Sequence, residues 1–161
     1  MKIAILNDTH CGIRNSSEIF LDNAEDFYTN IFFPECDKRN VKQIVHLGDY
    51  YDHRKFVNFK ALNQNRRVFL DQLRKRNMMM DIIPGNHDTY FKNTNELNSL
   101  KECLGHYMNE IHIIMEPTVM QYGSLSMALL PWICADNYQQ SMNFIQAVSY
   151  THLTLPTIAL V

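Results

Sequence analysis

Three short, mostly apolar runs constrain this chain more than anything else in it: KIAILN (Lys2 to Asn7), QIVHL (Gln43 to Leu47) and MMDIIP (Met79 to Pro84). Each has the length and side chains of a buried strand. Each is followed at once by side chains bearing oxygen and nitrogen: Asp8-Thr9-His10, then Gly48-Asp49-Tyr50-Tyr51-Asp52, then Gly85-Asn86-His87-Asp88. Asp49 lies 41 residues after Asp8, and Asn86 lies 37 after Asp49. Such separations leave room for a helical crossover between parallel strands, and these crossovers are right-handed. Parallel strands carry all three clusters to one sheet edge, beyond the carboxyl ends of the strands, where α/β proteins place their sites.

The intervening segments read as helices. One starts at Ser16, Ser17 and Glu18 and runs to about Arg39, with Ile19, Phe20, Ala24, Phe27, Ile31 and Phe32 as apolar positions and Pro34 as a break. A second spans Asn58 to Asn77, with Phe59, Leu62, Val68, Phe69 and Leu73 as its inner face. A third lies around Asn95 to Leu104, before a strand at Ile111 to Met115. Thr118 to Tyr122 and Leu125 to Leu130, joined by Gly123-Ser124, read as a hairpin, and Asn137 to Ala147 as a last helix. The fold class is α/β, built from βαβ units with one antiparallel element.

Composition narrows the function. With 161 residues, 46% hydrophobic and 20% charged, the chain is one domain or a large piece of one, and not disordered. A formal charge of −2 does not announce a nucleic-acid binder, so such a role needs a local patch. The four cysteines, Cys11, Cys36, Cys103 and Cys134, have no metal-knot spacing and read as reduced thiols. The absence of a long apolar run or a leader-like start gives a cytoplasmic expectation, with no membrane partner.

In an extended chain residues i and i+2 point the same way, so Asp8 and His10 can grip one cation. Asp49 offers two oxygens able to bridge two ions, and Asn86 a carbonyl oxygen. His87 offers a proton or a phosphate hydrogen bond, with Asp88 accepting its other N–H. Taken singly, an Asp or Asn after a strand is usually a turn former or a cap. Three such clusters on parallel strands are not explained that way. Carboxylate, imidazole and amide donors suit manganese or iron better than a thiolate zinc site.

The order D-x-H, G-D-x-x-D, G-N-H-D behind buried strands resembles the calcineurin-like metallophosphoesterase superfamily. The runs GDYYDHRK, GNHDTYFKN and LLPWICADN are similar to its SbcD-type nuclease subunit, especially the version carried by T-even-like phages. The resemblance implies a layered metallophosphoesterase-type sandwich with mixed sheets, of which residues 1–147 form the N-terminal part, incomplete at the C-terminus. It also implies a two-metal site, usually with Mn²⁺, in which Asp8 and His10 hold one ion, Asp49 bridges and Asn86 holds the second. His87 would be the catalytic histidine, supported by Asp88, while His53 and Arg54 occupy the loop that approaches substrate. The implied function is a DNA endo- or exonuclease subunit of recombination and double-strand-break repair, a homodimer working with an SbcC-type ATPase.

The family completes its metal shells with later histidines, one at a G-H strand end and two in a G-H-x-H motif; the sole Gly-His pair in these 161 residues, Gly105-His106, reads as a helix end, and G-H-x-H does not occur. Residues 148–161, VSYTHLTLPTIALV, carry one His and no charge. They resemble translated adaptor sequence at truncated reading frames, and the alternative is a genuine strand ending at Pro156. His46, His106 and His112 read as a strand residue, a helix end and a surface or strand position. Lys60, Arg66, Arg67, Arg74, Lys75 and Arg76 against Asp71 give the second helix a local charge of +5. That stretch fits a DNA phosphate contact, a dimer contact or a solvated helix face. Another phosphoesterase acting on phosphoproteins or nucleotides, and an inactive fragment that only binds, are the competing functions.

Overall fold

Side-chain alternation along four short strands sets the architecture. The computed structural model describes residues 1–152. Its centre is a parallel sheet in the order β1 (Ile3–Leu6), β2 (Gln43–His46), β3 (Met79–Ile82) and β4 (Ile111–Ile113). Ile3 pairs with Gln43, Gln43 with Met79, and Met80 with Ile111. One side of the sheet offers Ala4, Leu6, Ile44, Met80, Ile82 and Ile111 to a helical layer rich in Phe33, Phe69, Leu73 and Leu104. The other offers Ile3 and Val45, with Ile83 and Ile114 from the strand exits, to Met120, Tyr122, Met127 and Leu129 of an antiparallel hairpin, β5 (Thr118–Tyr122) and β6 (Leu125–Leu129). Helices cover one face and the hairpin part of the other, so the expected α/β class of βαβ units with one antiparallel element is the observed one, with the parallel and antiparallel strands in separate sheets.

The first crossover holds a single turn, α1 (Ile13–Ser16), then α2 (Glu18–Asp26), a π-helical turn (Phe27–Phe32) and α3 (Phe33–Arg39). Pro34 does not end this helix. The wider turn before it accommodates a residue that has no N–H and crowds the carbonyl four positions back. The turn also rotates the buried stripe, which falls on Leu21, Tyr28, Phe32, Phe33 and Cys36. Ile19, Phe20, Phe27 and Ile31, expected on the inner face, are exposed instead.

The second crossover repeats the device with α4 (Phe59–Asn65), a π turn (Arg66–Leu70) and α5 (Asp71–Arg76). Asn58 caps it, its side chain accepting from the N–H of Lys60 at 2.8 Å and Ala61 at 3.4 Å. Val68, Phe69 and Leu73 are buried as the pattern requires and Leu70 joins them, but Phe59 is 86% exposed. It lies at the first helical position, where the chain has not yet turned onto the sheet. After β3 the chain forms α6 (Ser99–Leu104), and after the hairpin α7 (Tyr138–His152). Val148 to His152 therefore continue a helix, and the strand reading ending at Pro156 lies outside the described residues.

Phe69 is fully buried among Tyr28, Phe32, Phe33 and Tyr50, with ring centroids 4.8–6.2 Å away. Phe69→Ala is expected to lower unfolding stability by about 3–5 kcal/mol, read from denaturant midpoints. A loss below about 1 kcal/mol would mean that this layer does not hold the helices to the sheet.

Candidate metal centre

The pairing of β1 with β2 continues past the strands. Asp8 N–H donates to Gly48 O at 3.2 Å, His10 N–H to Asp49 O at 3.0 Å, Cys11 N–H to Tyr50 O at 2.7 Å and Asp52 N–H to Cys11 O at 3.2 Å. The first two motifs are therefore held in register by backbone bonds. Within this ladder Asp8, His10 and Asp49 adopt left-handed φ values of 50°, 42° and 53°. That conformation costs a non-glycine residue on the order of 1 kcal/mol, and it persists where surrounding structure enforces it.

The third motif reaches the second through two glycines. A Cβ on Gly48, whose φ is +98°, would stand 2.7 Å from Gly85 N. One on Gly85 would stand 2.2 Å from Asp49 Oδ1. With neither present, Asp49 Oδ1 accepts the backbone N–H of His87 at 2.8 Å. The result is a nest of possible ligands. Asp8, His10 and Asp49 each offer an atom within 4.8 Å of the others, and so do His10, Asp52 and His87. Asn86 sits half-buried in the same turn as His87, its backbone carbonyl accepting the Thr89 hydroxyl at 3.3 Å.

The donor set fits a divalent cation. Two buried imidazole atoms, His10 Nδ1 and His53 Nε2, have no hydrogen-bond partner among the described residues. Their nearest acidic neighbours are the Asp52 oxygens at 3.5 and 3.4 Å, at ion-pair distance without hydrogen-bond geometry. A metal ion is one answer to such unpaired atoms. Cys11 is in neither ligand group and burial pushes its thiol up to about 12, so the grouped donors are oxygen and nitrogen.

Asp88 has a different role from the one expected. It does not orient His87. Its Oδ1 accepts the N–H groups of Tyr50 at 3.0 Å and Tyr51 at 3.1 Å, and its Oδ2 that of Gly85 at 2.9 Å. The carboxylate is fully buried and fastens the third loop to the second. Burial raises its pKa, and the three N–H donors act against that rise. The His87 ring is set instead by the Asp52 carbonyl, 2.6 Å from Nδ1. A carbonyl only accepts, so Nδ1 carries the proton and Nε2 is left for chemistry.

The expected substrate residues lie beside this nest. His53 stacks on Phe56 with centroids 4.3 Å apart. The Arg54 guanidinium lies 5.1 Å over the Trp132 ring and donates to Thr89 O at 3.4 Å and Thr89 Oγ1 at 3.3 Å. Trp132 N–H in turn donates to Pro84 O at 2.9 Å, which is how the PWICADN run reaches the site.

Two residues acquire roles that sequence reasoning did not give them. Asp52 belongs to the ligand nest, and the second acid of G-D-x-x-D was the available signal. His46 is fully buried behind the first two loops. Its Nδ1 accepts from Gly48 N–H at 3.2 Å and its Nε2 donates to Thr9 Oγ1 at 3.0 Å. The Thr9 hydroxyl donates on to Tyr50 O at 3.3 Å. No signal separates such a histidine from any other strand residue.

The basic helix, in contrast, is spent within the fold. Lys60 pairs with Glu18, Arg67 with Glu25 at 2.6 Å, Arg74 with Glu110 at 2.7 Å and Arg76 with Asp37 at 3.0 Å. Four of its six cations thus tie helices and loops together, which favours the solvated-face reading over a phosphate track.

Residues 1–147 match the family described as calcineurin-like phosphoesterase. The chain belongs to this family. It is 27% identical over 150 residues to exonuclease subunit 1 of Enterobacteria phage T4, an overlap of 92% of this chain and 43% of that protein. The chain thus spans less than half the length of this relative. A similar solved structure is the Pseudomonas putida nuclease MPE, with 17% identity and a TM-score of 0.49, covering 82% of this chain and 59% of that one. No helix of the described residues is long and apolar enough to cross a membrane.

Gly85→Ala is expected to displace Asp49 and weaken divalent-cation binding about tenfold or more by calorimetry. Gly105→Ala, where a Cβ meets nothing within 4 Å, is the control. Equal affinities in the two variants would remove the close-approach argument. His46 gives a pH dependence. Burial lowers its pKa to about 3 from the ordinary 6.5, so the unfolded chain binds the extra proton first. Its contribution is full above pH 6.5 and declines by about 1.4 kcal/mol per pH unit as pH falls toward 3. Denaturant unfolding across that window should show a shallower pH slope in His46→Leu than in the wild type.

Proposed function

We propose that this chain is the metal-binding part of a phosphodiester hydrolase that cuts DNA, a nuclease subunit serving recombination and double-strand-break repair. The observation that carries the reading is the convergence of Asp8, His10, Asp49 and His87, from three strand-terminal loops, on one nest of oxygen and nitrogen donors. The similarity to a phage exonuclease subunit favours DNA over phosphoprotein or nucleotide substrates.

Asp8, His10, Asp49 and Asn86 are the residues that would hold the divalent ions. Mn²⁺ fits this mixture of carboxylate, imidazole and amide. When bound, two such ions supply water activation and charge neutralisation at the phosphoryl oxygens. His87, fixed through Nδ1, presents Nε2 to the scissile phosphate or the leaving oxygen. Arg54, stacked on Trp132, keeps a cation beside the path of the substrate. The left-handed backbone at Asp8, His10 and Asp49 fixes the ligands before any ion arrives. The same reading gives the subunit an SbcC-type ATPase partner, a cytoplasmic location and a second copy meeting it over the exposed Phe59.

The test is Mn²⁺ titration and DNA cleavage with the wild type, Asp49→Ala and His87→Ala. Asp49→Ala should lose Mn²⁺ binding. His87→Ala should bind Mn²⁺ but cleave DNA about 10²–10⁴-fold more slowly. Hydrolysis of phosphomonoesters with no cleavage of DNA would transfer the assignment to another phosphoesterase class.

A further inference from the structure

Beyond the metal nest, the second and third loops carry exposed rings and lysines that the chemistry above does not use. The second loop continues from Asp52 as His53-Arg54-Lys55-Phe56, and the third from Asp88 as Thr89-Tyr90-Phe91-Lys92. Phe56, Tyr90 and Phe91 are 60%, 38% and 48% exposed. These rings are placed rather than loose. Phe56 lies against His53 at an interplanar angle of 25°, the Lys55 ammonium is 5.4 Å over the Tyr90 ring, and Tyr90 meets Phe91 at 4.8 Å. A cleft of about 310 Å³ runs beside them, with Leu97 and Cys103 in its wall. The strip starts at the metal nest, because His53 faces Asp52, which shares a ligand group with His10 and His87.

We propose that this strip holds the bases of an unpaired DNA strand whose phosphodiester lies at the metal centre. The inference rests on the nuclease reading above and narrows its substrate. A strand leaving the nest crosses these two loops. They offer what single-strand sites offer: ring faces for bases, interleaved with cations for phosphates. Lys55 and Lys92 are exposed on the path, and Arg54 stands beside it. A duplex keeps its base faces stacked inside and turns phosphate and sugar outward, so exposed rings are of no use to it. Glu102 also lines the cleft, and its negative charge disfavours phosphates deep in the groove. A second copy of this chain is the competing occupant, since Phe59 and Leu62 border the same cleft.

The experiment measures binding by fluorescence anisotropy in EDTA, so that neither metal nor cleavage enters the signal. The probes are a labelled twenty-nucleotide thymidine strand, an abasic strand of the same length and a blunt duplex. The thymidine strand should bind tightest. Phe56→Ala and Tyr90→Ala should each weaken it about 5- to 100-fold, with the abasic strand and the duplex nearly unmoved. Phe56→Trp should restore the affinity. Equal binding of thymidine and abasic strands by the wild type would overturn the proposal. So would a Phe56→Ala variant that changes the sedimentation behaviour while binding the thymidine strand normally, because the surface then belongs to a second copy. Mn²⁺-dependent hydrolysis of bis-(4-nitrophenyl) phosphate by the wild type reads the phosphoesterase assignment separately. Its absence would sink that assignment, whereas its presence without a preference for bases would overturn only the strip.

Discussion

Everything at the candidate centre depends on how closely the second and third loops meet. Gly48 and Gly85 leave no room for a Cβ between them, and Asp49 occupies the space that a side chain on Gly85 would take. Asp88 then closes the joint from inside by accepting three backbone N–H groups, two from the second loop and one from its own. A buried carboxylate is costly unless it is hydrogen-bonded, and here the bonds satisfy it and fix the geometry together. His87 can stand beside Asp49 only because this joint holds.

The centre is prepared in a second way. Three of its residues sit in left-handed backbone, held there by a ladder that outlasts the strands. Two imidazole atoms face inward without partners among the described residues. Strain and unpaired donors each cost stability, and both fall in one place. A fold concentrates such costs where a ligand offsets them. The helical layer and the aromatic core around Phe69 supply the rigidity that keeps these arrangements from relaxing.

The surface divides its charges by function. Four of the six cations between Lys60 and Arg76 are matched to acids on neighbouring elements, so they lace the helices together and contribute little to any partner. The cations of the two motif loops lie against rings instead: Arg54 on Trp132 and Lys55 on Tyr90. A guanidinium or ammonium stacked on an aromatic face keeps its charge available to an anion, unlike one bound to a carboxylate. The surface suited to a polyanion is therefore the one beside the metal nest, although the helix carries more charge in the sequence.

The residues by themselves determined the parallel sheet, the hairpin and the three clusters, because a buried strand, a Gly-Ser turn and a polar run each leave a local pattern. They determined the donor chemistry for the same reason. Tertiary structure decided the phase of the first helix, since the π turn before Pro34 rotates the buried stripe in a way no 3.6-residue pattern foretells. It also decided that Asp88 is a joint rather than the orienter of His87, and that Asp52 joins the nest. Finally it decided that His46 ties two loops together while the basic helix is spent on ion pairs. Each of those outcomes depends on which atoms meet across thirty to forty residues of chain, and a hydrogen bond across that distance leaves no mark on its neighbours in sequence.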